Sequence, residues 1–182
     1  MPGPLLGFSY GGFNSLHNGF DDIYSDNSMP IEYFFGVGYK RIYLIGKYKT
    51  YSANGRSIVD NGDFIGSADY SQEFFMFGLR FYDQNNNKLR YFLEFGAVSS
   101  LVSETITTDN RVPELSSSEE MQEWGFGISA GATFMFTRFV GISGSVEYTR
   151  LMFDIENGYE TGDVNLGGFF ISAGLVFMPF SD

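Results

Sequence analysis

The sequence predicts an all-β chain, an eight-stranded antiparallel up-and-down barrel that crosses a membrane, with short turns at one end and four long loops at the other. Three observations carry this expectation. Apolar residues recur at alternate positions in eight segments. The connections between those segments alternate between long and short. The two phases of each segment differ in bulk as well as in polarity. With 182 residues the chain fits one domain over 1–182 and suffices for a sizeable core.

The segments fall at roughly 5–13, 30–39, 42–51, 72–82, 89–98, 124–137, 139–151 and 167–178. The first holds Gly11-Gly12, read as close packing or a bend within a strand and not as a phosphate loop. In the second, Ile31, Tyr33, Phe35, Val37 and Tyr39 oppose Glu32, Phe34, Gly36 and Gly38. Lys40-Arg41 then forms a two-residue hairpin turn. That turn sets the register, placing Glu32 opposite Lys49, Gly36 opposite Ile45 and Gly38 opposite Tyr43, small against large. The third segment contributes Lys47 and Lys49 to the polar phase, the fourth Arg80, and the fifth Arg90 and Glu94. The fourth and fifth are joined through the Asn85-Asn86-Asn87 run, a polar turn.

The sixth segment is the clearest. Trp124, Phe126, Ile128, Ala130, Ala132, Phe134 and Phe136 alternate with Gly125, Gly127, Ser129, Gly131, Thr133, Met135 and Thr137. A tight turn around Arg138 leads to the seventh, with Val140, Ile142, Val146 and Tyr148 on one side and Gly141, Ser143, Ser145, Glu147 and Thr149 on the other. Phe169, Ile171, Ala173, Leu175 and Phe177 give the eighth its apolar phase. The stretch Trp124 to Val146 is the nearest candidate for a membrane helix, but its alternating Gly and Ser residues favour period two.

An interior rich in Gly and Ser suits a narrow lumen, and a bulky outer phase suits lipid. Strands of about 9 to 11 residues can cross a bilayer when tilted, and closure leaves no backbone edge unpaired there. Tyr39 and Tyr91 fall near the short-turn end, and Tyr33, Trp124 and Tyr148 near the long-loop end, as interfacial aromatic girdles do. The alternative is a soluble carrier barrel, with the same apolar phase turned inward. By phase the interior charges are Glu32, Glu94 and Glu147 against Lys47, Lys49, Arg80 and Arg90. They are read as an ion-pair network filling the lumen in preference to a polar solute path.

Composition excludes several classes. Eleven Lys plus Arg against 22 Asp plus Glu give a net charge of -11, with no basic footprint for nucleic acid. The absence of cysteine removes disulfides, thiolate metal sites and thiol nucleophiles. No cofactor or metal is expected, since no acid spacing matches a calcium loop. Met1-Pro2-Gly3-Pro4 shows no targeting segment. The long connections 14–29, 52–71, 99–123 and 152–166 carry 16 acids against only Arg56 and Arg111, while the rest of the chain is slightly basic. Such an anionic cap attracts cationic ligands or a basic partner surface, and equally serves plain solubility.

Strand number, loop alternation and the aromatic-ended last strand, Gly174-Leu175-Val176-Phe177, resemble the small eight-stranded bacterial outer-membrane barrels typified by the OmpA transmembrane domain, OmpX and Ail. The resemblance covers nearly all of 5–180 and is architectural, without a family-specific motif. It implies residence in the outer membrane among lipid and lipopolysaccharide, with loops extracellular and termini periplasmic. It also implies an assembly signal for the barrel-assembly machinery formed by Leu175 and Phe177, or by Phe180 further on. The function expected is non-enzymatic: surface interaction with a host or other extracellular ligand at the acidic loops, or envelope integrity. Two alternatives stay open. One is a lipid-modifying enzyme centred on His17, the single histidine. The other is a narrow channel for small or apolar solutes.

Overall fold

The computed structural model describes residues 3–16, 20, 24–27, 29–59, 63–83, 88–108, 117–154, 163–165 and 167–178. Its strands are β1 (Gly3–Ser15), β2 (Tyr24–Asn27), β3 (Ile31–Tyr39), β4 (Ile42–Val59), β5 (Asp63–Tyr82), β6 (Leu89–Thr108), β7 (Ser117–Met135), β8 (Val140–Asp154), β9 (Asp163–Asn165) and β10 (Gly168–Phe177). Eight of them, β1, β3 to β8 and β10, pair antiparallel with their neighbours, and β10 pairs with both β8 and β1 to close the barrel. The short strands β2 and β9 extend the wall beside the far ends of β4 and β8.

One hydrogen-bonded row leads from Pro4 through Val37, Leu44, Leu79, Phe95, Ile128, Tyr148 and Phe169 back to β1 at Asn14, ten residues further along. That offset tilts the strands by about 40°. The nine residues of β3 then rise roughly 20–25 Å, the height of a hydrocarbon-facing band. The outward face over that height is bulky and apolar. Phe35, Phe77, Leu93, Phe95, Ile128 and Ile171 are all at least half exposed.

The β3–β4 hairpin has the register that a Lys40-Arg41 turn requires, with Glu32 opposite Lys49, Gly36 opposite Ile45 and Gly38 opposite Tyr43. Lys40 takes φ 57°, the left-handed conformation that a tight hairpin asks of its first turn residue. At the β7–β8 turn the Thr137 hydroxyl accepts from the amides of Phe139 (3.2 Å) and Val140 (3.0 Å), capping the loop locally.

The structure departs from the sequence expectation in the long connections. Segments 52–71 and 99–123, expected as loops, are mostly strand: β4 runs to Val59, β5 begins at Asp63, β6 runs to Thr108 and β7 begins at Ser117. The pairing of β4 with β5 and of β6 with β7 continues without interruption past the apolar band, apart from a bulge between Ser57 and Ile58. These four strands therefore stand above the barrel as a projecting wall. Along this wall the polarity of the faces inverts. Tyr51, Ala53, Ala68, Tyr70 and Val102 are buried inward, while Ser52, Asn54, Arg56, Asp69, Ser71 and Thr107 are exposed outward.

Candidate functional site

The candidate site is the column of side chains inside the barrel, and it is layered. Lowest, at the short-turn end, Leu5, Phe34, Tyr43, Ile45, Tyr82, Phe92, Met135, Val176 and Met178 form one buried apolar cluster. Above it lie six buried charges: Glu32, Glu94, Glu147, Lys47, Lys49 and Arg80. Next come Phe74, Met76, Val98, Leu151 and Phe170, with Phe13 against them. Highest, inside the projecting wall, are Phe20, Tyr24, Tyr51, Ala53, Ala68, Tyr70 and Val102.

The charge layer is neutral, three acids with three bases, and it is continuous. Lys47 Nζ sits at the centre, donating to Glu147 Oε2 at 2.9 Å, paired with Glu94, and 3.7 Å from Glu32. Lys49 pairs with Glu147 and lies 3.4 Å from Glu32, while Ser9 Oγ donates to Glu32 Oε1 at 3.0 Å. Arg80 Nε donates to Glu94 Oε2 at 2.7 Å and its Nη1 to Tyr82 Oη at 3.2 Å. Glu94 is 0% and Arg80 2% exposed, so none of these charges has water to fall back on, and each is held by its partners.

Local sequence explains how Arg80 fits. Its guanidinium lies over the rings of Phe34 (4.6 Å) and Phe92 (4.3 Å), a cation–π clamp on both sides. Those rings occupy space that glycines leave free. A Cβ on Gly7 would collide with the Phe34 ring, and one on Gly131 would lie 2.5 Å from Phe92 Cζ. Lys49 Nζ stands 4.2 Å from the Phe170 ring in the same manner, joining the charge layer to the aromatic layer above.

The upper chamber is a ring cluster tied by hydrogen bonds. Phe20 lies 4.6 Å from Tyr24 and 5.1 Å from Tyr70, and Phe13 stacks on Phe170 at 4.3 Å. The Tyr70 hydroxyl donates to Gln72 Oε1 (2.7 Å), and Gln72 Nε2 donates to Ser100 Oγ (2.8 Å). The Tyr24 hydroxyl donates to Glu104. Burial, and then the Glu104 carboxylate beside it, push the Tyr24 phenol well above its ordinary value.

The structure brings together Glu32, Lys47, Lys49, Arg80, Glu94 and Glu147, but places Arg90 elsewhere. Arg90 also faces inward, yet it lies below the apolar cluster with Nη1 3.7 Å from Met178 Sδ, and it takes no part in the ion pairs of the charge layer. Tyr33, Tyr39, Tyr91 and Trp124 are exposed on the outer wall, and Tyr148 is half-buried, 5.2 Å from the Phe169 ring. Leu175 and Phe177 point outward on β10. Phe180 and His17 lie outside the described residues. Among the described residues no group of three or more His, Cys, Asp or Glu is arranged to hold a metal.

Sequence reasoning missed the aromatic chamber and the Phe34–Arg80–Phe92 clamp. The available signal was the phase of Ala53, which follows Tyr51 at the expected strand end and continues the inward series of Tyr43, Ile45, Lys47 and Lys49.

No protein-family model matches the chain, and no curated protein matches it in sequence. Solved structures do match in fold. Ail, the attachment invasion locus protein of Yersinia pestis, solved with the heparin analogue sucrose octasulfate, is 16% identical, with 97% of each chain covered and a TM-score of 0.56. The outer membrane protein OprG of Pseudomonas aeruginosa is 12% identical over 99% of this chain and 96% of its own, with a TM-score of 0.61. A major outer membrane protein from Thermus thermophilus is 7% identical over 98% of this chain and 99% of its own, with a TM-score of 0.69. The fold is that of the small eight-stranded outer-membrane β-barrels.

Proposed function

We propose that the chain is a non-enzymatic barrel of a bacterial outer membrane, its projecting wall and long connections extracellular and its termini periplasmic. One observation carries this reading. The outer wall is apolar over one bilayer height and turns polar above it, and the buried charges of that height are all inside the barrel. A soluble carrier would not expose Phe35, Phe77, Leu93 and Ile171 in a continuous belt.

The interior is a structural filling. Apolar clusters lie above and below a neutral ionic layer, and eight strands leave only the width that side chains occupy. No open conduit for solute is expected. The outer contribution comes from the projecting wall, where Asp69 and Glu120 are exposed, in a chain whose expected cap holds most of the acids. Ail was solved with a polysulfated ligand. An acidic cap repels such an anionic ligand and suits a basic partner surface instead. The assembly signal is formed by the outward Leu175 with Phe177, or with Phe180 further on.

The test is extraction and electrophoresis followed by conductance. The expected outcome is a protein that needs detergent to stay monodisperse, changes gel migration on heating, and gives no steady single-channel current in a planar bilayer. Monodispersity without detergent would overturn membrane residence. A stable conductance lost on filling the lumen would favour the channel, and a lipid product that disappears in His17→Ala would favour the enzyme.

A further inference from the structure

Within the projecting wall β5 and β6 are paired on both sides, and β2 covers part of β4. β7 is different. Its pairing with β6 continues up to Ser117, opposite Ile106, whereas its pairing with β8 stops at Gly125, opposite Leu151. Above that level β8 pairs with β9 instead, with Met152 opposite Asn165 and Asp154 opposite Asp163. Among the described residues, no strand pairs with the other side of β7 between Ser117 and Trp124. This edge is roughly 25 Å long. It stands above the belt, with the exposed Trp124 at its foot.

Strand phase fixes which groups the edge offers. At the foot of β7 the Met135 amide donates to the Lys88 carbonyl on the β6 side, and the Phe136 amide to the Val140 carbonyl on the β8 side. The ladder to β6 runs without a bulge, so every even-numbered residue of β7 turns its backbone away from β6. The N–H and C=O groups of Ser118, Glu120, Gln122 and Trp124 therefore line the edge. Side chains alternate as well. Glu120 and Gln122 are exposed on the outer face, while Met121 packs inward against the aromatic chamber with the half-buried Glu123 in the same phase.

A row of unpaired backbone groups is a template for an extended chain. Charge decides which chain. Above the belt β5, β6 and β7 carry Asp69, Glu104, Glu119, Glu120 and Glu123, and no Lys or Arg. Two copies of this protein joined edge to edge would set Glu120 and Glu123 against their own kind, which is unfavourable. We propose that the upper edge of β7 accepts an extended segment of a basic partner protein, which adds an antiparallel strand to the wall. Register gives that segment a preferred order. It needs a basic residue opposite Glu123, an apolar one opposite Met121 and a basic one opposite Glu120, which reads basic-x-apolar-basic. Main-chain bonds supply the affinity and the flanking charges the choice of partner. This docking mode rests on the basic-partner reading above and fails separately from it.

The experiment uses the full chain in detergent micelles and a fluorescent peptide of about ten residues, with Lys-Thr-Val-Lys at its centre. The expected result is saturable binding that weakens with salt, together with slowed amide exchange at Glu120 and Gln122. Methylating the peptide nitrogens that face β7 should weaken binding roughly tenfold, while methylating the alternate ones should not. Gln122→Pro removes an edge N–H without touching the ladder to β6, and should weaken binding to a similar degree. Glu120→Gln combined with Glu123→Gln should cost a few-fold, the range of exposed charge pairs. If Gln122→Pro does not fold, as judged by heat-modifiable migration, the methylated peptides decide alone. Equal binding of a peptide with Glu in place of Lys, slow exchange at Glu120 and Gln122 before any peptide is added, or cross-links between two copies through this edge would each overturn the edge site. Binding indifferent to methylation removes the edge and keeps the basic-partner reading, whereas no binding by any basic peptide removes both.

Discussion

The lower and upper halves of β4 to β7 are the same four strands under opposite solvent rules. In the lower half Phe77 and Phe95 face outward and Arg80 and Glu94 face inward; in the upper half Asp69 and Thr107 face outward and Tyr70 and Val102 inward. The hydrogen-bonded ladder is unbroken between them. Backbone geometry therefore does not distinguish a membrane-facing strand from a water-facing one. The choice of residue at each alternate position does, because hydrocarbon outside leaves the polar groups only one place to find partners.

The largest effect expected is in the charge layer of the lower half. Lys47 is the shared partner of Glu32, Glu94 and Glu147. Lys47→Met leaves a buried excess of negative charge and should cost about 3–5 kcal/mol in urea unfolding from lipid, a large part of which Glu94→Gln in the same chain restores. A removal of comparable side-chain volume in the upper half, at an outward polar position, has no such consequence.

The two halves part most clearly on β6. Phe95→Arg places a charge against the middle of the belt and should cost about 2–4 kcal/mol, whereas Thr107→Arg, on the same face of the same strand, should stay within about 0.5 kcal/mol. Equal costs would remove the distinction between the halves.

The upper half should carry its own pH dependence. Its Tyr24 phenol is pushed up by burial and by Glu104, so the folded wall keeps the proton that the unfolded chain gives up near pH 10. The resulting stabilisation is complete below about pH 10 and is lost as pH rises beyond it. Hydrogen exchange of β2 and β4 should accelerate there in the native chain, while the lower half is unaffected. Tyr24→Phe removes the step at a cost of about 1 kcal/mol, a single hydrogen bond. The smallest effect is at the short-turn end, where Lys40 with φ 57° should tolerate Gly with a gain of up to about 1 kcal/mol in unfolding midpoint terms.

How much was legible in the sequence follows the same division. In the lower half the contrast between phases is strong, and the two-residue turn fixes which residues face each other, so the pairing of Glu32 with Lys49 could be read from numbering alone. In the upper half Ser, Thr, Asn and Asp dominate the outward phase, and such residues look like loop. The inward phase there is sparse, with Tyr51 and Ala53 on one strand and Ala68 and Tyr70 on the next, too few per segment to register as period two. Arg90 shares the inward phase with Glu94, and only the level along the barrel separates them, which depends on tilt and packing around Met178.

Solvent changes along the strands while the fold does not. The chain has no native cysteine, so single cysteines can be placed along the outward face of β6 at Tyr91, Leu93, Phe95, Ser103, Thr105 and Thr107 and spin-labelled in lipid. Labels at the first three sites should collide with oxygen and be shielded from a water-soluble nickel complex, and labels at the last three should show the opposite. Nickel access at Phe95 equal to that at Thr107 would contradict it.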